Sequence, residues 1–320
     1  MKKQFSITLI ALSALVLLAA CKKSANTFPT KGITVICPWS EGGGTDEVLR
    51  ALCTTAEKYL DTTITVENKT GEAGIIGHAA IKDAAPDGYT LGMITLELNS
   101  MSLQGLADFS YKDFDPLIRV NADAATLTVP AAAPYNTVAE FVQYCKENPY
   151  TVSIGNAAAG SVWHISALLF AEATNIEVKH IPFEGAAGAV TAVASGYIDA
   201  VTVSFAEVKK QLDSGKVKVL GIMDNSRIEM YPDIPTFKEQ GFDLEYATWR
   251  GLALPKGVDS SIKATLETAF TKAITDSDFL ATANELHLHI AFQPSQEFAA
   301  FLQDNYEAVS KTLKAIHLTE

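Results

Sequence analysis

This chain is short of positive charge: 25 lysine and arginine residues stand against 37 aspartates and glutamates, for a net charge of −12. With no basic patch it offers phosphates no electrostatic footprint, which argues against a nucleic-acid partner. A small anion is not excluded, because backbone dipoles alone can make a site locally positive. Cysteine is scarce as well, with 4 in 320 residues and no Cys-x-x-Cys pair. There is no Gly-x-Ser-x-Gly elbow, and no nucleophile stands with a base in a recognisable arrangement, so nothing here carries catalysis. His287 and His289 fall on one face of an expected strand, but zinc needs further ligands and none has a suggestive spacing. No internal repeat or low-complexity tract occurs, and no metal or cofactor is expected.

The apolar run at the N-terminus, residues 7–20, is too short for a bilayer, which takes roughly 20 residues, but it suits a signal peptide behind Lys2 and Lys3. It ends Leu18-Ala19-Ala20-Cys21, the form of a bacterial lipoprotein cleavage box. The expectation is a signal peptide over 1–20, a lipidated Cys21 anchoring the protein to a membrane, and a polar tether over 21–30. An ordinary secretory signal with an incidental cysteine is the alternative. Both place the protein outside the cytoplasm, in a periplasm or at the cell surface. Cys37, Cys53 and Cys145 then allow at most one disulfide, and buried thiols are the plainer reading.

What is present is a strand at 33–37 running into Pro38-Trp39-Ser40-Glu41-Gly42-Gly43-Gly44-Thr45-Asp46 and a helix over 46–59. In that helix Val48, Leu49, Leu52, Ala56 and Tyr59 share one side. Strand, glycine turn and helix start is the layout by which backbone N–H groups hold an anion. Further strands are expected at 63–67, 89–95, 125–129, 151–154, 177–181, 200–203, 217–222 and 249–254. Helices are expected through 81–85 and at 138–147, 163–174, 185–194, 260–275 and 295–316. The alternation is that of an α/β fold with mostly parallel strands. The chain crosses out near 122 and back near 246, giving one domain of 31–121 plus 247–320 and a second of 122–246.

Several stretches resemble the solute-binding receptors of tripartite tricarboxylate transporters, the Bug family. The Pro38 to Asp46 loop is similar to the family's Pro-aromatic-x-x-Gly-Gly-x-Thr-Asp. The stretch Glu67-Asn68-Lys69-Thr70-Gly71-Glu72-Ala73-Gly74 resembles its Glu-Asn-Arg motif, with Lys69 and Glu72 as departures. Ala85-Pro86-Asp87-Gly88-Tyr89-Thr90-Leu91 matches closely. Gly155 to His164 is similar to the second-domain loop, with Asn156 and Ala158 in place of Ser and Gly. Pro182-Phe183-Glu184-Gly185 has an acid where a lysine is common, and Pro232 to Thr236 and Trp249-Arg250-Gly251 complete the set. The resemblance implies a two-domain periplasmic-binding-protein fold, type II-like, a Venus flytrap with two interdomain crossovers. It also implies a monomeric receptor, not an enzyme, that closes on a small carboxylate and delivers it to large and small membrane subunits. Dicarboxylates, tricarboxylates, amino acids and aromatic acids all remain open as ligands. An exported enzyme on a small organic acid, or a receptor presenting a metabolite to a sensor, are the alternatives.

The expected ligand-facing residues follow from the loops and the resemblance together. Gly43 and Gly44 let the chain approach the ligand, and Trp39 walls one side. Thr45 either meets the ligand carboxylate or caps the helix, and Asp46 opens that helix, where an acid suits the dipole in any α/β protein. Gly155 to Gly160 has Walker-type spacing, yet Ser161 stands where lysine belongs, so the phosphate motif fails. As a carboxylate cradle, Asn156, Gly160 and Ser161 fit better, while His164 either touches ligand or braces the loop. Gly185, Ala186 and Ala187 open a small-residue helix whose N–H groups are uncovered. Asp199 either accepts from a ligand or caps a strand end. Arg250 either grips a carboxylate with its fork or joins an interdomain ion pair. Asn99 completes the set. Glu184 disfavours a highly charged tricarboxylate, or admits an amine-bearing ligand.

Overall fold

The apolar strands assemble into two separate sheets in the computed structural model, which describes residues 28–228 and 230–319. The expected signal peptide, Cys21 and the tether as far as residue 27 lie outside those residues. The first sheet runs, edge to edge, β11 (Ile290–Pro294), β4 (Phe114–Ala124), β10 (Ala247–Pro255), β3 (Thr90–Thr95), β1 (Ile33–Cys37) and β2 (Ile64–Asn68). The second runs β7 (Lys179–Pro182), β6 (Ser153–Asn156), β8 (Ala200–Val201), β5 (Thr126–Pro130) and β9 (Val217–Ile222). Each sheet with its helices forms a lobe.

The sheets are mixed where the sequence suggests mostly parallel pairing. Parallel pairs link β1 with β2 and β3, and β6 with β7 and β8. The strands that carry the chain between lobes pair antiparallel: β10 with β3 and β4, and β5 with β9. The topology requires this, since β4 leads out of the first sheet and β10 leads back in beside it. The long β4 is not anticipated in the sequence, where its alternation is broken by Asp115, Pro116 and Arg119. At the crossing, backbone bonds tie the outgoing chain to the returning one: Ala125 N to Tyr246 O at 2.8 Å, Met223 N to Ala125 O at 2.8 Å and Tyr246 N to Met223 O at 3.0 Å.

The helices are α1 (Gly44–Leu60), α2 (Ile75–Lys82), α3 (Glu97–Leu103), α4 (Val138–Glu147), α5 (Val162–Thr174), α6 (Ala186–Ala194), α7 (Phe205–Asp213), α8 (Ser260–Ile274), α9 (Ser277–Glu285) and α10 (Ser295–Ala315). Helix α1 buries Val48, Leu49, Leu52, Ala56 and Leu60 against the first sheet. Tyr59 is not on that face: it is 39% exposed, and its hydroxyl donates to Asp276 at 2.6 Å. The segment 286–289 is no strand. His287 has φ 53° and packs edge-on against Phe205 and Tyr231, so the expected pairing of His287 and His289 on one strand face does not form. Among the described residues no cluster of side chains could hold a metal ion, and no helix is long and apolar enough to cross a membrane.

Candidate functional site

Between the lobes lies a cavity of about 30 Å³, enough for a water or two. The first lobe contributes Trp39, Ser40 and Gly43 from the loop after β1, Gly44 and Thr45 from the start of α1, Thr95 from the end of β3, Glu97 from the start of α3, and Thr248 and Arg250 from β10. The second contributes Ala157 from the loop after β6, Val162 and Trp163 at the start of α5, Gly185 and Ala186 at the start of α6, and Glu207 from α7. These are mainly the carboxyl ends of strands and the helix starts that follow them, where open α/β sheets place their crevices.

Two of the helices entering the site begin without a side-chain cap. The N-cap positions are Gly43 for α1 and Gly185 for α6, neither of which has a side chain to accept from the first turn. Their leading N–H groups therefore remain as donors with the helix dipole behind them. The glycines also let the lobes meet. A Cβ on Gly185 would stand 2.5 Å from Ser40 Oγ, and one on Gly44 would stand 3.0 Å from Glu207 Cγ.

Arg250 is 2% exposed and held from two sides. Its Nη1 pairs with Asp123 Oδ2 at 2.5 Å, and its Nε donates to Thr45 Oγ1 at 2.9 Å. Asp123 lies on β4 and Arg250 on β10, so the ion pair sits within the two crossing strands. Nη2 stands 3.2 Å from the point a Gly44 Cβ would occupy and has no acceptor among the described residues.

Two glutamates the sequence reading overlooks complete the site. Glu97, 1% exposed, accepts from Thr95 Oγ1 at 2.6 Å and, across the lobe junction, from Val162 N at 2.9 Å. Trp39 Nε1 donates to the same Thr95 hydroxyl at 3.4 Å. Glu207 caps its own helix, accepting from Ser204 N at 3.1 Å and Ser204 Oγ at 2.9 Å through Oε2. Its Oε1 faces Gly44 of the other lobe, 3.2 Å from that glycine's would-be Cβ. Burial pushes both carboxyl groups above their ordinary value; hydrogen bonds and Arg250 offset this only in part.

Of the residues expected at the site, Trp39, Gly43, Gly44, Thr45, Gly185, Ala186 and Arg250 line the cavity. Asp46 sits behind it, accepting from Gly42 N at 3.0 Å, Arg50 Nε at 2.9 Å and Asn68 Nδ2 at 2.8 Å. Burial raises its carboxyl, but those bonds win and leave it below the ordinary value. Ser161 caps α5, accepting from Ala158 N and His164 N. His164 braces the same loop: its Nδ1 accepts from Gly160 N at 2.9 Å, and burial, then His180, pushes its pKa down to about 4. Gly160 meets Gln104 of the first lobe, and Ala187 lines an outer depression with Lys210. Asn156 is fully buried beside Ala157, with neither amide atom partnered among the described residues.

Three further residues stand away from the cavity. Asp199 precedes β8 and clamps Ser153, accepting from its N at 2.8 Å and Oγ at 2.6 Å. That is the amino end of the second sheet, away from the cavity. Asn99 faces α10, donating to Asn305 Oδ1 at 3.0 Å and Leu302 O at 3.4 Å, because α3 turns that side chain toward the C-terminal helix. Glu184 is exposed and lines a separate depression.

A sequence profile described as "Tripartite tricarboxylate transporter family receptor" matches residues 48–318. A curated Cupriavidus necator protein, the UPF0065 protein in the gbd 5' region, is 27% identical over 299 residues, covering 92% of this chain and 90% of that one. Among solved structures, a TctC solute binding protein from Polaromonas with no ligand is 34% identical, with a TM-score of 0.68, covering 90% of this chain and 99% of that one. MatC from Rhodopseudomonas palustris, with bound malate, is 27% identical with a TM-score of 0.83, covering 89% and 100%.

Proposed function

The chain belongs to the tripartite tricarboxylate transporter receptor family, a family of solute-binding proteins and not of enzymes, and from that premise we propose that it is an exported receptor. It captures a small carboxylate between its lobes and hands it to the transporter's membrane subunits. The lobes are the units 31–121 plus 247–320 and 122–246, hinged where Ala125 and Met223 pair with Tyr246. Cys21 carries the lipid that keeps the receptor at the membrane.

One observation carries the reading: two uncapped helix N-termini from opposite lobes and the buried Arg250 converge on one interlobe cavity. Backbone donors from both lobes can reach one carboxylate only when the lobes are together, so the ligand favours the closed state. The cavity of about 30 Å³ has room for little more than a water or two, so the lobes separate to admit a solute. Malate is the solute of a relative, MatC, and belongs in the panel of acids tested here.

Small-angle scattering on the mature protein tests the reading, with small carboxylates added after a thermal-shift screen. At least one acid raises the melting temperature and shrinks the radius of gyration. If every acid leaves both unmoved, the reading fails.

A further inference from the structure

The cavity's charges do not balance for an anionic ligand. Its ionisable lining residues are Glu97, Glu207 and Arg250, and Arg250 already pairs with Asp123. Among the described residues no lysine, arginine or histidine forms an ion pair with Glu97 or Glu207. Buried charges are ordinarily paired, and an unpaired one is costly. Both glutamates also stand where a carboxylate ligand would look for donors. Glu97 holds the Val162 N–H at the start of α5, and Glu207 is set against Gly44 at the start of α1. Each crosses the junction from the opposite lobe. The free donors left, Arg250 Nη2 and the leading N–H groups of α1 and α6, suffice for a single carboxylate. A second or third carboxylate would lie against Glu97 or Glu207 as a like charge in a poorly solvated space.

Resting on the receptor reading, we propose that the cleft selects an ammonium-bearing acid, an amino acid in its zwitterionic form, with Glu97 and Glu207 reading the positive charge. The ligand carboxylate takes the donors of α1 and α6, and the ammonium group lies toward the two glutamates. Burial holds both carboxyls toward protonation, and a bound cation supplies the partner that each lacks. Di- and tricarboxylates are discriminated against by the same pair.

Isothermal titration of the mature protein with matched acids tests this. The probes are amino acids, each against its hydroxy counterpart: aspartate with malate, alanine with lactate, phenylalanine with phenyllactate, and citrate besides. The best amino acid binds roughly 30-fold or more tightly than its hydroxy partner. Glu97→Gln and Glu207→Gln each keep the side-chain shape and one acceptor oxygen, and each weakens the amino acid about tenfold or more while leaving the hydroxy acid unchanged or tighter. Circular dichroism melts check that both variants fold. If hydroxy acids or citrate bind as well as the amino acids, or neither variant changes the ratio, this inference is overturned and the receptor reading stands. If no acid in the set binds, the carboxylate-receptor reading falls, and this inference with it.

Discussion

The Glu97 carboxylate, on the first lobe, accepts the N–H of Val162, the first residue of α5 on the second, at 2.9 Å. A helix terminus that the sequence offers to a ligand is thus met by the protein's own carboxylate. Glu207 stands in the mirror relation to Gly44, reaching from the second lobe to the glycine loop of the first. The lobe junction is held by the same type of contact that is expected to hold the ligand.

Arg250 serves the hinge and the cavity together. Arg250→Met leaves Asp123 buried without its partner and should cost about 3–5 kcal/mol in a denaturant titration. Arg250→Lys keeps the charge but loses the fork, so it should lose less stability and bind ligand about tenfold or more weakly. Equal stability of the Met variant and wild type would show that the ion pair contributes nothing to the fold.

Gly185 has an extended backbone, with φ −172°, that alanine adopts without strain, so its substitution probes only the lobe contact. Gly185→Ala puts a methyl 2.5 Å from Ser40 Oγ and should weaken binding about tenfold, while the ligand-free melting temperature moves by less than about 2 °C. Removing that hydroxyl with Ser40→Ala in the same chain should restore affinity. Failure of the rescue would place the defect elsewhere.

Stability should fall on both sides of an optimum in mildly acidic solution. Burial holds His78 at about 4, below its ordinary 6.5, so the folded state prefers the neutral ring. That contribution is complete above 6.5 and is lost as pH falls through 4, about 3 kcal/mol in all. Glu97 and Glu207 act in the opposite sense. Their pKa values lie above the ordinary 4.5, so unfolding releases protons and stability drops as pH rises past 4.5. Melting temperatures from pH 4 to 8 check this: the Glu97→Gln, Glu207→Gln double variant should flatten the alkaline slope and leave the acid one. An unchanged alkaline slope would mean that those carboxyls are not the groups involved.

Cys37, Cys53 and Cys145 are all free and buried, and burial pushes the Cys37 and Cys145 thiols up to about 12. Ellman's reagent should therefore find no fast-reacting thiol in the folded soluble domain and all three after denaturation. Dithiothreitol should not shift the melting temperature. A shift would indicate a disulfide.

Local signals carried well. Val48, Leu49, Leu52 and Ala56 fall on the buried face their spacing predicts, and Arg250, Gly44 and Gly185 reach the cavity. Glu97 was not legible, because its partner Val162 is 65 positions away and they meet only where the lobes touch. Glu207 was within reach: Ser204-Phe205-Ala206-Glu207 is a capping-box pattern that marks the start of α7. Which of its two readings Asp199 takes, and which way Asn99 faces, cannot be read in advance, because a residue type near a strand does not say which end of the sheet it occupies. Asp199 stands at the amino end, Asn99 on the helix face turned to α10.

A receptor captures its solute reversibly and leaves it unchanged, and calorimetric titration with NMR of the recovered ligand measures that directly. The expected result is one small carboxylate per protein, bound in the micromolar range or tighter and recovered chemically intact. Absence of binding across the acid panel, or a ligand recovered as product, would contradict it.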